Sequence, residues 1–189
     1  VSAYAANRAA LCGVMSTRST TIAVVVWAVG ILSLLAFASV NQISAFDPEH
    51  SLAQAAAQPD FDQRFANELK AAGIAAGTLV HISSAGRCYC DELTESHRDE
   101  LSAELKQQGY QLAQLSLAEH PAITRFVNHY PALAVVDNAG QLRYLGPYAI
   151  GYGCITGKNL VAEIRQLATA SRYYGASINS DVKGCFCAA

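Results

Sequence analysis

The apolar and polar positions of this chain fall into three regimes. The first is Thr21-Ile-Ala-Val-Val-Val-Trp-Ala-Val-Gly-Ile-Leu-Ser-Leu-Leu-Ala-Phe-Ala-Ser-Val40, which contains no charged residue and matches the ~20 residues a helix needs to cross a bilayer. It predicts a transmembrane helix over 21–40. The second, 41–60, is rich in Ala, Gln and Ser, holds Pro48 and Pro59, and shows no apolar period. That predicts a linker. In the third regime the pattern becomes periodic. Phe61, Phe65 and Leu69 recur at helical spacing through 60–72, ahead of Gly73. Thr78 to Ile82 is an apolar, β-branched strand that runs into the turn formers Ser83, Ser84 and Gly86. Asp91 to Gln108 carries Leu93, Leu101 and Leu105 among charges and predicts a helix stopped by Gly109. Tyr110 to Leu115 reads as a second strand, and Glu119 to Tyr130 as a helix carrying Ile123, Phe126 and Val127. From Pro131 to Leu145 an apolar run, an Asp137-Asn-Ala-Gly140 turn and a second alternating run predict a β-hairpin. Lys158 to Thr169 closes the series as a helix with Leu160, Ile164 and Leu167 on one face.

The order is β, α, β, α, β, β, α, an α/β domain over 61–172 followed by a tail over 173–189. A length of 189 residues with 52% hydrophobic and 15% charged content suits one modest domain plus an apolar segment. The net charge of -2 and the lack of any Lys/Arg run exclude nucleic acid as a partner class, because phosphate binding needs a clustered basic face. Residues 1–20 carry Arg8 and Arg18 and no acid, whereas Asp47 and Glu49 come soon after the apolar run. The positive-inside rule then leaves 1–20 in the cytoplasm and the domain on the far side of an inner, cytoplasmic membrane, in the periplasm or cell exterior. A cleaved signal peptide competes, since Ala36-Phe-Ala38 has small residues at cleavage spacing. The apolar run exceeds the ~7–15 residues of a signal-peptide core, which favours a retained anchor. No Cys follows it at a lipidation position. Met15 is the sole methionine, and a start there would leave Cys12 outside the protein.

The chemistry concentrates where the first strand meets the following helix. Cys88-Tyr-Cys90 stands between a strand end and Asp91-Glu-Leu93, a position where a helix start offers free N–H groups and partial positive charge to a thiolate. Arg87 acts in the same direction and Asp91 and Glu92 oppose it. A bridge between residues i and i+2 closes a small ring away from the relaxed disulfide geometry, which favours the reduced form. This predicts oxidant or isomerase character for a Cys88–Cys90 couple. The competing reading is a structural pair, against which stands the small length of chain such a bridge constrains.

With these motifs the chain resembles the thioredoxin-like superfamily over roughly residues 75–170. The likeness rests on the strand leading into cysteines at a helix start and on Tyr130-Pro131 opening a hairpin. The resemblance implies a mixed central sheet flanked by helices, a cis-proline at Pro131 lying against the redox cysteines, and thiol–disulfide oxidoreductase activity on protein thiols or disulfides. It also implies Cys88 as nucleophile and Cys90 as resolver, and no cofactor. The family's usual Cys-x-x-Cys with a preceding aromatic is here Cys-x-Cys preceded by Gly86-Arg87. The closest description is a membrane-anchored bacterial thioredoxin-like family without assigned function.

The tail repeats the pattern as Gly184-Cys-Phe-Cys187. A mobile terminal dithiol is expected to relay electrons to Cys88 and Cys90, or one of Cys185 and Cys187 bridges Cys154 in Gly151-Tyr-Gly-Cys154 as a structural disulfide. With five cysteines beyond the anchor, at least one is left over. A different class of function is thiolate binding of copper or zinc by the two Cys-x-Cys pairs, or a non-catalytic, stapled domain. No histidine among His81, His97, His120 and His129 stands at a clear ligand spacing, so no metal ligand is assigned; His129, beside Tyr130-Pro131, is the one expected near the cysteines. A peroxidase reading ranks third, for want of a Pro/Thr-containing approach to Cys88. Gly151 to Lys158 fails as a phosphate loop, because Gly151 is one residue too far from Gly157 and Asn159 stands where Ser or Thr would bind magnesium. The tyrosines 144, 148, 152, 173 and 174 do not distinguish a binding groove from packing.

Overall fold

A computed structural model of the chain describes residues 17–41, 43–86, 88–151 and 158–189. The chain divides into two units, Val1–Asn41 and Gln42–Ala189. Among the described residues the first consists of α1 (Thr17–Asn41), of 25 residues, about 37 Å at 1.5 Å per residue. It is long and apolar enough to cross a membrane, and none of its most apolar stretch is buried within the protein. Trp27, Leu32 and Phe37 stand on its exposed surface.

The second unit begins with β1 (Ser44–Ala45), α2 (Ser51–Ala56) and α3 (Phe61–Ala71). It continues through β2 (Thr78–Ser83), α4 (Tyr89–Leu93), α5 (Glu95–Lys106), β3 (Gln111–Ser116), α6 (Pro121–Thr124), β4 (His129–Tyr130), β5 (Ala132–Val136) and β6 (Leu142–Gly146). The last elements are β7 (Ala149–Ile150), β8 (Lys158–Asn159), α7 (Val161–Thr169), β9 (Ser177–Ile178), β10 (Lys183–Gly184) and β11 (Cys187–Ala188). A five-stranded mixed sheet runs β3-β2-β5-β6-β9. β2 is parallel to β3 and antiparallel to β5, β5 is antiparallel to β6, and β6 is parallel to β9.

Strand periodicity divides the core in two. Val80 and Ile82 of β2, with Ala132, Ala134 and Val136 of β5, face the Phe61, Phe65 and Leu69 stripe of α3. Leu79, Leu133 and Val135 face Leu101 and Leu105 of α5 and Ile164 of α7. Both faces of β5 are therefore covered, which accounts for its unbroken apolar run. The β5–β6 turn closes as its residues dictate: Asp137 Oδ1 accepts the N–H groups of Ala139 and Gln141 at 2.9 Å each, and Gly140 takes φ 78°.

Several boundaries differ from the sequence expectation. Residues 44–60 are folded rather than a linker: Phe46 and Leu52 are buried, and Asp47 accepts the Ala53 N–H at 2.8 Å at the start of α2. Phe46 and Leu52 are single apolar residues with no period, and what buries them arrives much later in the chain. The segment 173–189 is likewise no mobile tail, since β9 joins the main sheet, β10 pairs with β1, and β11 pairs with β4. The helix expected over 91–108 starts at Tyr89 and breaks at Thr94, whose hydroxyl donates to the Asp91 carbonyl at 2.8 Å. The helix expected over 119–130 is confined to Pro121–Thr124, after a turn of 3-10 helix at Leu117–Glu119, because the chain must extend at His129 to pair with β11. The final helix begins at Val161, where Asn159 Oδ1 accepts the Val161 N–H at 2.8 Å. Tyr144 and Tyr148 are buried core, Tyr173 donates to Asp62 at 2.7 Å, and Tyr174 is exposed; Tyr152 lies outside the described residues.

Candidate functional site: a cluster of four sulfurs

β2 delivers the chain to Cys88, which holds extended backbone as the N-cap of α4, and Cys90 sits in its first turn. Because Cys88 and Cys90 flank one residue, both turn inward, to 4% and 8% exposure, and Tyr89 between them stands out at 61%. The tail approaches in the opposite direction. Cys88 is joined to Cys187 with a Cα separation of 6.3 Å, and Cys90 to Cys185 with one of 5.3 Å. The two Cys-x-Cys segments thus pair as antiparallel rungs, each sulfur bonded across rather than within its own motif. The sulfurs of Cys88, Cys90 and Cys187 all lie within 4.8 Å of one another.

This arrangement corrects two expectations. The Cys88–Cys90 bridge is not the bond present, so the small-ring argument does not describe this form. Both tail cysteines are committed to the core pair, so neither bridges Cys154, which lies outside the described residues, as does Arg87. The expected meeting of the two Cys-x-Cys motifs does occur, as two bonds in a docked tail.

Docking of the tail rests on more than sulfur. Cys187 stands opposite Tyr130 and Ala188 opposite His129 in the β4–β11 ladder, and the Ala189 N–H donates to Asn128 at 2.9 Å. Ser44 Oγ donates to the Phe186 carbonyl at 3.1 Å, and the buried Phe186 ring meets Phe46 edge-on with centroids 5.1 Å apart. A side chain at Gly184 would bring its Cβ to 2.8 Å from that ring, so glycine is what lets Phe186 fold back.

The Tyr130–Pro131 peptide is cis. Pro131 lines a small cleft of about 30 Å³ with Cys90, His97, Tyr148, Cys185 and Phe186, room for a single water-sized group. The second disulfide therefore faces a confined, mainly apolar space.

Residues 54–189, more than two thirds of the chain, match the family model described as Domain of unknown function (DUF6436). The chain belongs to this family. The DUF6436 segment takes in all four bonded cysteines and Pro131, and it starts after Phe46, the aromatic partner of Phe186. No curated protein and no solved structure matches the chain.

Beneath the DUF6436 sulfur cluster lies a polar link that sequence spacing did not single out. His81, 2% exposed in the middle of β2, has Nδ1 3.1 Å from the Tyr148 hydroxyl and Nε2 3.0 Å from Asp91 Oδ1. Nδ1 shares a hydrogen bond with the Tyr148 hydroxyl, whereas Nε2 meets the Asp91 carboxylate as a close polar contact, Oδ1 having no hydrogen-bond partner among the described residues. Asp91 follows Cys90 directly, so the link ties the cysteine-bearing helix to the sheet. Burial drives the Tyr148 phenol far above its ordinary value, so it remains a hydrogen-bond donor. His97 Nε2 is buried and has no hydrogen-bond partner among the described residues, and its ring borders the cleft beside Cys90 and Cys185. His129 lies in β4 across from Ala188, its Nδ1 2.9 Å from Asn128 Oδ1, with burial lowering its pKa. His120 begins α6. Among the described residues the only sequence signal for His81 is a polar residue interrupting the apolar run Thr78 to Ile82.

Proposed function

We propose that the chain is a membrane-anchored thiol–disulfide exchange protein acting outside the cytoplasm, with Cys88, Cys90, Cys185 and Cys187 as its working groups and protein thiols or disulfides as its partners. The observation that carries the reading is the mutual approach of the Cys88, Cys90 and Cys187 sulfurs to within 4.8 Å. A bond broken in this cluster leaves a thiolate beside an intact disulfide, the condition for intramolecular exchange.

Three features support it. The β3-β2-β5-β6 order, with helices on both faces and the cis Tyr130–Pro131 peptide entering β5, agrees with a thioredoxin-like core. The cysteine pair stands at the strand-to-helix junction such a core uses. Two disulfides in a chain with an apolar helix that follows Arg8 and carries Arg18 in its first turn fit an oxidising compartment beyond a membrane.

The exchange balances as follows. One thiolate of a partner dithiol attacks the sulfur of Cys187, which is less buried than Cys88, and Cys88 leaves as the thiolate. The partner's second thiol displaces Cys187 from the mixed disulfide, so the partner is oxidised by two electrons and the Cys88–Cys187 bond is reduced by two. Cys88 then attacks Cys90, forms the Cys88–Cys90 bond and releases Cys185, a rearrangement with no net electron transfer. A second dithiol reduces that bond in the same way. Run backwards, the sequence reduces a partner disulfide while the chain's own thiols are oxidised.

The test is turnover by the full chain in detergent, between a model peptide dithiol and a small disulfide. Exchange faster than the uncatalysed reaction, abolished in Cys88→Ser and retained in Cys154→Ser, is the expected result. A folded wild-type chain with no rate above background overturns the proposal.

A further inference from the structure

We infer that the reduced form of the cluster is a binding site for one thiophilic d10 cation, zinc(II) or copper(I), with Cys88, Cys90 and Cys187 as ligands and Cys185 completing the set. The inference rests on the proposed reducibility of the two disulfides and adds a ligand that this reading does not require.

The spacing is the first argument. Four thiolates around such an ion at ~2.3 Å stand about 3.8 Å from one another. Three sulfurs here are already within 4.8 Å of each other, and the fourth, Cys185, is bonded to one of them. Cys88 and Cys187 are bonded partners, as are Cys90 and Cys185, so reduction lets each pair separate toward that spacing.

Preorganisation is the second. The tail stays in place for reasons that reduction does not touch: the ladder of Cys187 and Ala188 with Tyr130 and His129, the Ala189 to Asn128 hydrogen bond, the β1–β10 pair and the buried Phe186–Phe46 contact. Opening both disulfides therefore leaves four thiols gathered rather than dispersed. Burial is the third argument. Cys88 and Cys90 are nearly inaccessible, and a thiolate there is costly unless a cation neutralises it, which directs the cluster either to protonation or to metal.

In the binding step no electron moves. Two dithiol equivalents supply the four electrons and four protons that convert two disulfides into four thiols. Each thiol that ligates the cation then releases its proton.

The experiment uses the full chain in detergent with Cys12 and Cys154 replaced by serine, reduced with a phosphine, freed of reductant without air and titrated with cobalt(II) as the spectroscopic probe for zinc. One cobalt per chain with thiolate-to-cobalt charge-transfer absorption, displaced by one equivalent of zinc, is expected. Bound zinc should protect the four cysteines from alkylation, and the oxidised chain should bind none. Cys187→Ser should weaken binding by roughly 100-fold or more, at least the loss seen when a ligand's supporting contact is removed. If the reduced chain keeps its native circular dichroism and binds no cobalt, or if the oxidised chain binds it equally, the metal site is overturned. Reversible thiol counting on the same sample reports separately on redox competence, so the exchange reading can survive that failure.

Discussion

Phe186, the residue between the two tail cysteines, meets Phe46 edge-on with ring centroids 5.1 Å apart. The contact joins the first folded residues of the domain to its last. It also holds the tail motif against the core motif without help from sulfur.

The first expectation is that reduction leaves the tail docked. In the reduced chain, amide exchange at Cys187 and Ala189 should remain slow and proteolysis near 183–189 should remain rare. Phe186→Ala removes a buried ring, a loss of about 3–5 kcal/mol, and should leave the tail held mainly by its disulfides. In that variant, reduction should expose the tail. Slow exchange persisting in reduced Phe186→Ala would show that the ring is not the anchor.

The two disulfides should contribute unequally according to which remains. They close nearly the same span, with sequence separations of 99 and 95 residues. In the chain-entropy account, one bridge over a loop of ~100 residues is worth about 4.7 kcal/mol, and a second rung beside it closes only a ring of several residues, worth about 2 kcal/mol. Replacing either bonded pair by serines should therefore cost about 2 kcal/mol, and replacing the remaining pair about twice as much again. Denaturant unfolding of the three variants measures this, and equal, additive losses would contradict it.

Tyr148→Phe should destabilise the domain by about 1–3 kcal/mol, because His81 Nδ1 loses its partner in a dry interior. His81→Ala should cost more, since it opens a cavity under β2 as well as releasing Asp91. Asp91 is partly exposed and can turn to water. Its own replacement by Asn should be milder than either. Urea unfolding midpoints of the three variants give the order.

Alkaline stability follows from the buried phenols. Burial raises Tyr144 and Tyr148 well above the ordinary 10.0, so the folded chain keeps their protons where the unfolded chain releases them. Their contribution is full below pH 10 and is lost as pH rises beyond it toward the folded values. Ultraviolet titration should show these two tyrosines ionising together with unfolding rather than ahead of it. Their smooth ionisation in a chain with native circular dichroism would contradict the assignment.

What could be read in the sequence was what repeats locally. The Phe61, Phe65 and Leu69 stripe, the β-branched run into Cys88, and the Asp137 to Gly140 turn each carry their structure within a few residues, and the β, α, β, α, β, β, α order followed from them. Phe46 and Phe186 belong to no apolar period of helix or strand, and only the finished fold brings them together, so the domain's true edges were hidden. Cysteine connectivity was hidden for a related reason. Spacing shows that Cys88 and Cys90 resemble Cys185 and Cys187, while the choice between bonds within and across the motifs depends on strand β11 lying beside β4. His81 was obscured by its setting, a polar residue inside a strand whose partners come from Tyr148 and from the helix after Cys90.

The most direct measurement is the cysteine state of the full chain in detergent after equilibration across graded dithiol–disulfide buffers, read by differential alkylation and peptide mass mapping with circular dichroism on the same samples. The account predicts that Cys88–Cys187 and Cys90–Cys185 open and reform reversibly in the folded protein, in two two-electron steps, with a Cys88–Cys90 bond appearing between them. If both bonds resist every buffer until the domain unfolds, the four cysteines are staples and the exchange function is wrong.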